Sequence, residues 1–195
     1  MKCKLGEIAK IYYGPHRTAV MAGTIKYLVS SDFDDSFQPT FFKESYLEDD
    51  GTLDKDRYIL EENDVIVTGK GKRLFAWAYN SKFGEVVPSS LFYIIKLQNS
   101  VVGEYIAHYL NSSRVNHKLK ALGAGTSIPS IQKHELAQLE IVIPTLEKQH
   151  QIVEIARLMN KDVELAEQLV ENKKTLRQGL LNDIINEQVI KEENR

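Results

Sequence analysis

The chain has 195 residues, 43% of them hydrophobic and 27% charged, with a formal net charge of −2. That length accommodates one domain with a proper core plus an appendage, and no apolar run approaches the ~20 residues of a membrane-spanning helix. Cys3 is the only cysteine, which excludes an internal disulfide and a cysteine-built metal cluster; the charged start Met1-Lys2-Cys3-Lys4 has no apolar core behind it, so no signal peptide is read there and the expected compartment is the cytoplasm.

Residues 1–144 read as a mixed α+β domain. Leu5, Ile8 and Ala9 stand at helical spacing, followed by the apolar Ile11-Tyr12-Tyr13 and a turn at Gly14-Pro15. Runs rich in β-branched and aromatic residues at 25–29, 58–60, 65–68, 74–79 and 91–97 are predicted strands, separated by Gly, Asn, Asp and Pro. Phe75, Trp77, Tyr79 and Tyr93 fall inside these runs and are assigned to the core rather than to base stacking. A helix is predicted from about Glu104, with Tyr105, Ile106, Tyr109 and Leu110 as its stripe, continued by Val115, Leu119 and Leu122. The interval Asn111-Ser112-Ser113 implies a bend or two consecutive helices, and Gly123 is a stop signal.

A Gly-rich polar loop, a short helix start and an apolar strand then lead to Pro144. From Thr145, a plausible cap, to about Val189 nothing interrupts a helical pattern except Gly179. At 1.5 Å per residue this arm is ~65 Å long. Ile152, Ala156, Met159, Val163, Ala166 and Val170 follow the 3,4 spacing of a coiled-coil seam. Lys173 and Arg177 continue that line as charges. Leu165, Leu169, Leu176 and Leu180 form a shifted line, with Ile184 beyond. So broad a stripe suits a bundle or a docked subunit, and an exposed apolar helix of this kind calls for a partner.

The net charge conceals an asymmetry. Residues 32–64 hold 12 acidic side chains against three basic ones, whereas residues 65–133 hold nine Lys or Arg against Glu85 and Glu104. Nucleic-acid binders need a positive face rather than a positive total. The densest basic element is Gly69-Lys70-Gly71-Lys72-Arg73, between two predicted strands. It is not a phosphate-binding P-loop, because Ile66 stands where that pattern has glycine and no Ser or Thr follows Lys72. Its glycines permit close backbone approach while its cations neutralise phosphates; a solvated hairpin tip is the bland reading. Arg114, His117, Lys118 and Lys120 crowd the end of the second predicted helix, where either the helix C-terminus or an anionic ligand accounts for them.

Catalytic patterns are missing. The five histidines show no metal spacing, no two prolines are adjacent as an amino-methyltransferase motif requires, and Glu171-Asn172-Lys173 lacks the preceding Pro-Asp of a nuclease. The reading is therefore a non-enzyme with no cofactor and no metal.

The block Gly125-Thr126-Ser127-Ile128-Pro129-Ser130-Ile131, then Glu135-Leu136, Leu139-Glu140-Ile141-Val142-Ile143-Pro144, Leu146-Glu147-Lys148-Gln149 and Ile152-Val153, resembles the specificity (S) subunit of type I restriction-modification enzymes. The stretch 63–69 is similar to that family's strand and Gly-bearing loop, and 105–111 to its Tyr-Leu-x-x-Tyr-Leu-Asn helix. The resemblance implies a target-recognition domain at 1–144 and a helical spacer and dimerisation arm at 145–195. It implies double-stranded DNA, methyltransferase (M) subunits and, where present, restriction (R) subunits as partners. One domain and one helix make half of the usual molecule. Two copies are therefore expected to pair through antiparallel helices and read an inverted-repeat bipartite site, with pairing to another S subunit as the alternative. A modulator that binds M or S subunits without reading DNA is the rival expectation. Candidate DNA contacts are Lys70, Lys72, Arg73, Lys82, Arg114, Lys118 and Lys120, with Arg17, Thr126 and Ser127 behind them.

Overall fold

A computed structural model describes residues 1–40, 45–71, 73–122 and 129–193, with side chains as far as Asn186. In chain order its elements are β1 (Lys2–Lys4), α1 (Leu5–Ile8), β2 (Ala9–Tyr13), β3 (Ile25–Leu28), β4 (Tyr46–Leu47), α2 (Lys55–Tyr58), β5 (Val65–Thr68), β6 (Ala76–Ala78), β7 (Val86–Pro88), β8 (Phe92–Leu97), α3 (Gly103–Asn111), α4 (Ser113–Leu122), α5 (Lys133–Ala137), β9 (Glu140–Val142) and α6 (Leu146–Glu193). This is a mixed α and β domain followed by a long C-terminal helix. The chain divides into two compact units, Met1–Val153 and Glu154–Arg195.

The centre of the first unit is an antiparallel sheet in the order β2-β8-β5-β6. Successive side chains of a strand point to opposite faces, and here both faces are covered. Val65, Val67, Tyr93 and Ile95 join Leu5, Ile106, Leu110, Leu119, Leu136 and Ile141 in a core built with the helices. Ile66, Phe92 and Ile94 join Phe33, Phe75, Trp77 and Tyr79 in an aromatic core on the opposite face. This double coverage explains why β5 and β8 read as near-continuous apolar runs rather than alternating ones. A second sheet, β4-β3-β7, combines an antiparallel and a parallel pairing and encloses Ile25, Tyr27, Leu47 and Val87. The pair β1 and β9 brings the first residues against the strand that precedes α6, with Lys2 opposite Val142.

One strand expectation is overturned. Residues 58–60 form no strand: Asp54 caps α2 by accepting from the Arg57 amide at 3.2 Å, and the chain is a helical turn up to Tyr58. Leu60, 2% exposed, is buried in the core, and Tyr58 and Ile59 pack half-buried against it. The predicted helix from 104 is two helices, α3 and α4, parted at Ser112, whose amide and hydroxyl both donate to the Tyr109 carbonyl. The arm is helical straight through Gly179, where a Cβ would meet nothing within 4 Å.

Candidate nucleic-acid interface and partner helix

The basic loop between β5 and β6 is anchored by backbone and by one aromatic ring. Gly69 donates to the Leu91 carbonyl at 2.7 Å and accepts from Ile131 at 2.9 Å, while Gly71 donates to Pro129 at 2.9 Å. Lys70 and Ser130 pair as an isolated antiparallel bridge. A Cβ on Gly69 would lie 2.6 Å from the Tyr93 ring, so glycine is required where the loop crosses that side chain. The Tyr93 hydroxyl donates to Ile131 at 2.7 Å and lies 3.0 Å from the Tyr13 hydroxyl. Burial raises the Tyr93 pKa first, and its hydrogen bond to Tyr13 raises it further. Two stretches singled out in the sequence, 69–73 and 129–131, thus meet as a short ladder.

Helix α4 flanks the same loop. Val115 and Leu119 are buried, and the Asn116 amide donates to the Leu74 carbonyl at 2.9 Å. Lys120 is exposed and lies one turn beyond Asn116, which bonds to Leu74 just after the loop. Arg114 and Lys118 are also exposed, four residues apart on a neighbouring face. Lys70 is thus exposed on the loop beside Ser130, and Arg114, Lys118 and Lys120 are exposed on α4. Lys72, Thr126 and Ser127 fall outside the described residues.

The remaining cations are placed differently. Arg73 donates to the Phe33 carbonyl at 3.1 Å and to the Asp34 carbonyl, stands 3.8 Å from an Asp35 carboxylate oxygen, and lies over the Phe37 and Phe75 rings. It ties the basic loop to the acidic segment. Arg17 pairs with Asp50 at 3.4 Å and donates to Thr52 at 2.7 Å. Lys82 sits in the turn after β6, at the opposite end of that strand from the loop, with its ammonium 4.9 Å from the Phe83 ring centre.

The acidic segment itself is largely turn chemistry. Asp34 accepts the amides of Ser36 and Gln38 at 2.9 and 2.8 Å, and Asp50 accepts that of Thr52 at 2.9 Å. Thr52 is the main cause of a lowered Asp50 pKa, as Lys55 is for Asp49. Asp64 is buried, accepts from the Glu61 amide at 2.9 Å and pairs with Lys96 at 3.0 Å. Burial pushes the Asp64 carboxyl up, against the opposing pull of that amide and of Lys96. Asp34, Asp50, Asp54 and Asp64 thus fold local backbone.

Sequence reasoning missed three side chains that hold the site in place. Asn111 closes the open edge of the central sheet: its Oδ1 accepts from the Ala76 amide and its Nδ2 donates to the Ala76 carbonyl, both at 2.8 Å. Asn63, in the left-handed region at φ 77°, donates to Val101 at 2.8 Å and accepts from Gly103. Gln149, only 1% exposed, accepts from Val102 at 2.9 Å and donates to Pro144 at 3.1 Å. A polar residue inside an otherwise apolar motif was the available signal for each.

Along α6, Val153 is buried and Ile152 packs against the domain core, so Ile152 is committed within the first unit. Ala156 is half-buried. Met159, Val163, Ala166, Leu169, Val170, Leu176, Leu180 and Ile184 are exposed, as are Ile155, Leu158, Leu165, Leu181 and Ile185. Among the described residues no group of His, Cys, Asp or Glu is arranged to hold a metal, and no helix is long and apolar enough to cross a membrane. An open cleft of about 760 Å³ between Lys10, Arg57, Lys96, Asp54 and Asp56 mixes both signs of charge and selects no ligand class.

The family model of the type I restriction modification DNA specificity domain matches residues 1–172. The chain therefore belongs to that family, whose domain is a recognition module and not a catalyst. No curated protein matches it significantly. Among solved structures it resembles the HsdS subunit from Thermoanaerobacter tengcongensis (17% identity, TM-score 0.60, covering 84% of this chain and 38% of that one). It also resembles the type I S subunit from M. genitalium (17% identity, TM-score 0.60, 91% and 43% covered). A third match is to a chain from a structural study of complex assembly and conformational transition in the type I system (15% identity, TM-score 0.55, 86% and 40% covered). At these identities the likeness is one of fold, and the chain spans about two fifths of each solved chain.

Proposed function

We propose that the chain is a DNA-recognition subunit of a type I restriction-modification enzyme, contributing one target-recognition domain and one spacer helix. The observation that carries this is the family match, which runs through the whole globular unit and on into the exposed part of α6. In this reading Lys70, Ser130, Lys120, Arg114 and Lys118 face double-stranded DNA. The lysines set affinity through phosphates, and neighbouring polar and Arg side chains read bases. Helix α6 pairs antiparallel with a second copy, so that two domains address an inverted-repeat bipartite site. M subunits, and R subunits where present, assemble on that pair. The test is to supply the purified chain with an M subunit and a methyl donor, offer a random-sequence DNA library, and sequence the modified molecules. A bipartite inverted-repeat consensus is expected. Modification with no shared sequence, or none at all, overturns the proposal.

One observation favours a second reading, a modulator that binds M or S subunits through α6 without reading DNA. Arg17 and Arg73, two of the candidate contacts, are engaged by the acidic segment. Assembly retained without any sequence-selective footprint is the outcome specific to that reading.

A further inference from the structure

Among the described residues Tyr13 is the one aromatic side chain that stands exposed, at 43%. It is the last residue of β2 and lies directly opposite Tyr93 of β8. The two ring centres are 4.7 Å apart, with the planes tilted by 40°. The two hydroxyls are 3.0 Å apart, and that of Tyr93 is 2.7 Å from the Ile131 carbonyl. The Tyr13 hydroxyl is therefore within two hydrogen-bond lengths of the ladder that anchors the basic loop, where Ser130 pairs with Lys70.

Counting protons along this row decides what Tyr13 can bind. Each phenol carries one proton, whereas a carbonyl oxygen only accepts. Two oxygens at 2.7 Å need a proton between them, so the Tyr93 proton is committed to Ile131. The contact between the hydroxyls then uses the Tyr13 proton, which points inward to the Tyr93 oxygen. What Tyr13 presents outward is an oxygen that accepts and cannot donate. Phosphate oxygens likewise only accept, so this hydroxyl makes no hydrogen bond to the DNA backbone. The donors that DNA presents are exocyclic amines: N4 of cytosine and N6 of adenine in the major groove, and N2 of guanine in the minor groove.

We propose that Tyr13 is a base-reading residue that accepts a hydrogen bond from the exocyclic amine of one base in the target sequence. This rests on the reading of the chain as a DNA-recognition subunit, and adds a residue and the chemical group it selects. The ring is packed on Tyr93 and the hydroxyl is tethered, so the acceptor is in position before DNA arrives. Lys70 supplies phosphate affinity nearby, while Tyr13 contributes discrimination.

The test repeats the random-library selection with the full chain and an M subunit, using wild type and Tyr13→Phe. The phenylalanine keeps the ring packing and leaves the bond from Tyr93 to Ile131 in place. The expected result is one consensus for both, except at a single position of the half-site where wild type demands an amine-bearing base and Tyr13→Phe does not. Binding is then titrated on the wild-type site with that base replaced by its amine-free analogue: purine for adenine, hypoxanthine for guanine, pyrimidin-2-one for cytosine. Wild type should lose about ten-fold in affinity, Tyr13→Phe should lose nothing further, and its salt slope should equal that of wild type. A wild-type consensus that Tyr13→Phe leaves unchanged overturns this inference alone. So does an equal loss on every sequence, or a changed salt slope, because either makes Tyr13 a support or a backbone contact. Wild-type affinity insensitive to every amine-free analogue overturns it without recourse to a variant. A wild-type selection with no consensus overturns the recognition reading, and this inference falls with it.

Discussion

Asn111→Ala tests whether one side-chain amide closes the edge of the central sheet beside the basic loop. Strand β6 has β5 on one side only, and on the other its Ala76 amide and carbonyl are both satisfied by Asn111 at 2.8 Å. Ala76 is 2% exposed, so truncation leaves two backbone groups with little access to water. Each such group costs about 1–3 kcal/mol. Asn111 itself is half-buried, so water enters part of the gap, and a total loss of about 2–3 kcal/mol is expected. For a urea slope of about 2 kcal/mol/M the midpoint falls by about 1 M, with the slope itself unchanged. The assay is built in: Trp77, the only tryptophan, lies in β6, and its fluorescence follows this edge. Asn111→Asp is the sharper variant, because it keeps the acceptor for the Ala76 amide and turns a carboxylate oxygen toward the Ala76 carbonyl. It should be at least as destabilised as the alanine variant at neutral pH. A midpoint shift below about 0.2 M for Asn111→Ala, or wild-type stability for Asn111→Asp, refutes the edge-closing role.

Three further outcomes follow from the same geometry. Lys70→Ala and Lys120→Ala should each weaken binding to all DNA sequences alike and reduce the salt slope by about 0.9; an unchanged slope in a fluorescence titration removes that residue from the interface. Arg73→Ala should instead lower the urea midpoint, since its guanidinium holds the Phe33 and Asp34 carbonyls, and leave the salt slope nearly unchanged; the reverse pattern would place Arg73 on DNA. The folded-state pKa of Tyr93 is raised by burial, so its contribution to stability is full below the unfolded phenol value of about 10 and is lost as pH rises beyond it. Tyr93→Phe should flatten stability between about pH 10 and 12 relative to wild type, and parallel curves for the two proteins would contradict the assignment.

How much of this was legible in the sequence depends on how local the deciding interactions are. The long helix, the apolar strands β5 and β8, and the break at Ser112 come from patterns complete within a few residues: helical periodicity, continuous apolar runs, a polar interruption. Strand β1 carries no such pattern, because Lys2-Cys3-Lys4 becomes a strand only by pairing with β9 at the far end of the domain. Residues 58–60 were misread for the complementary reason. Their composition suits a strand, but a single backbone bond, from the Leu60 amide to the Val86 carbonyl at 3.0 Å, makes no ladder, and the Asp54 cap wins locally.

The candidate site divides along the same line. Sequence alone determined which segments are basic, which helix is apolar, and which motifs mark the family, because charge, periodicity and motif belong to the chain itself. Only the tertiary structure decided that the loop at 69–71 lies against 129–131 and beside α4, that Arg17 and Arg73 are held by acidic turns, and that Asn111 and Gln149 anchor their elements. A cation's charge is written in the sequence. What it faces is set by residues distant in the chain, which approach only when the apolar strands and helices bury their shared surfaces.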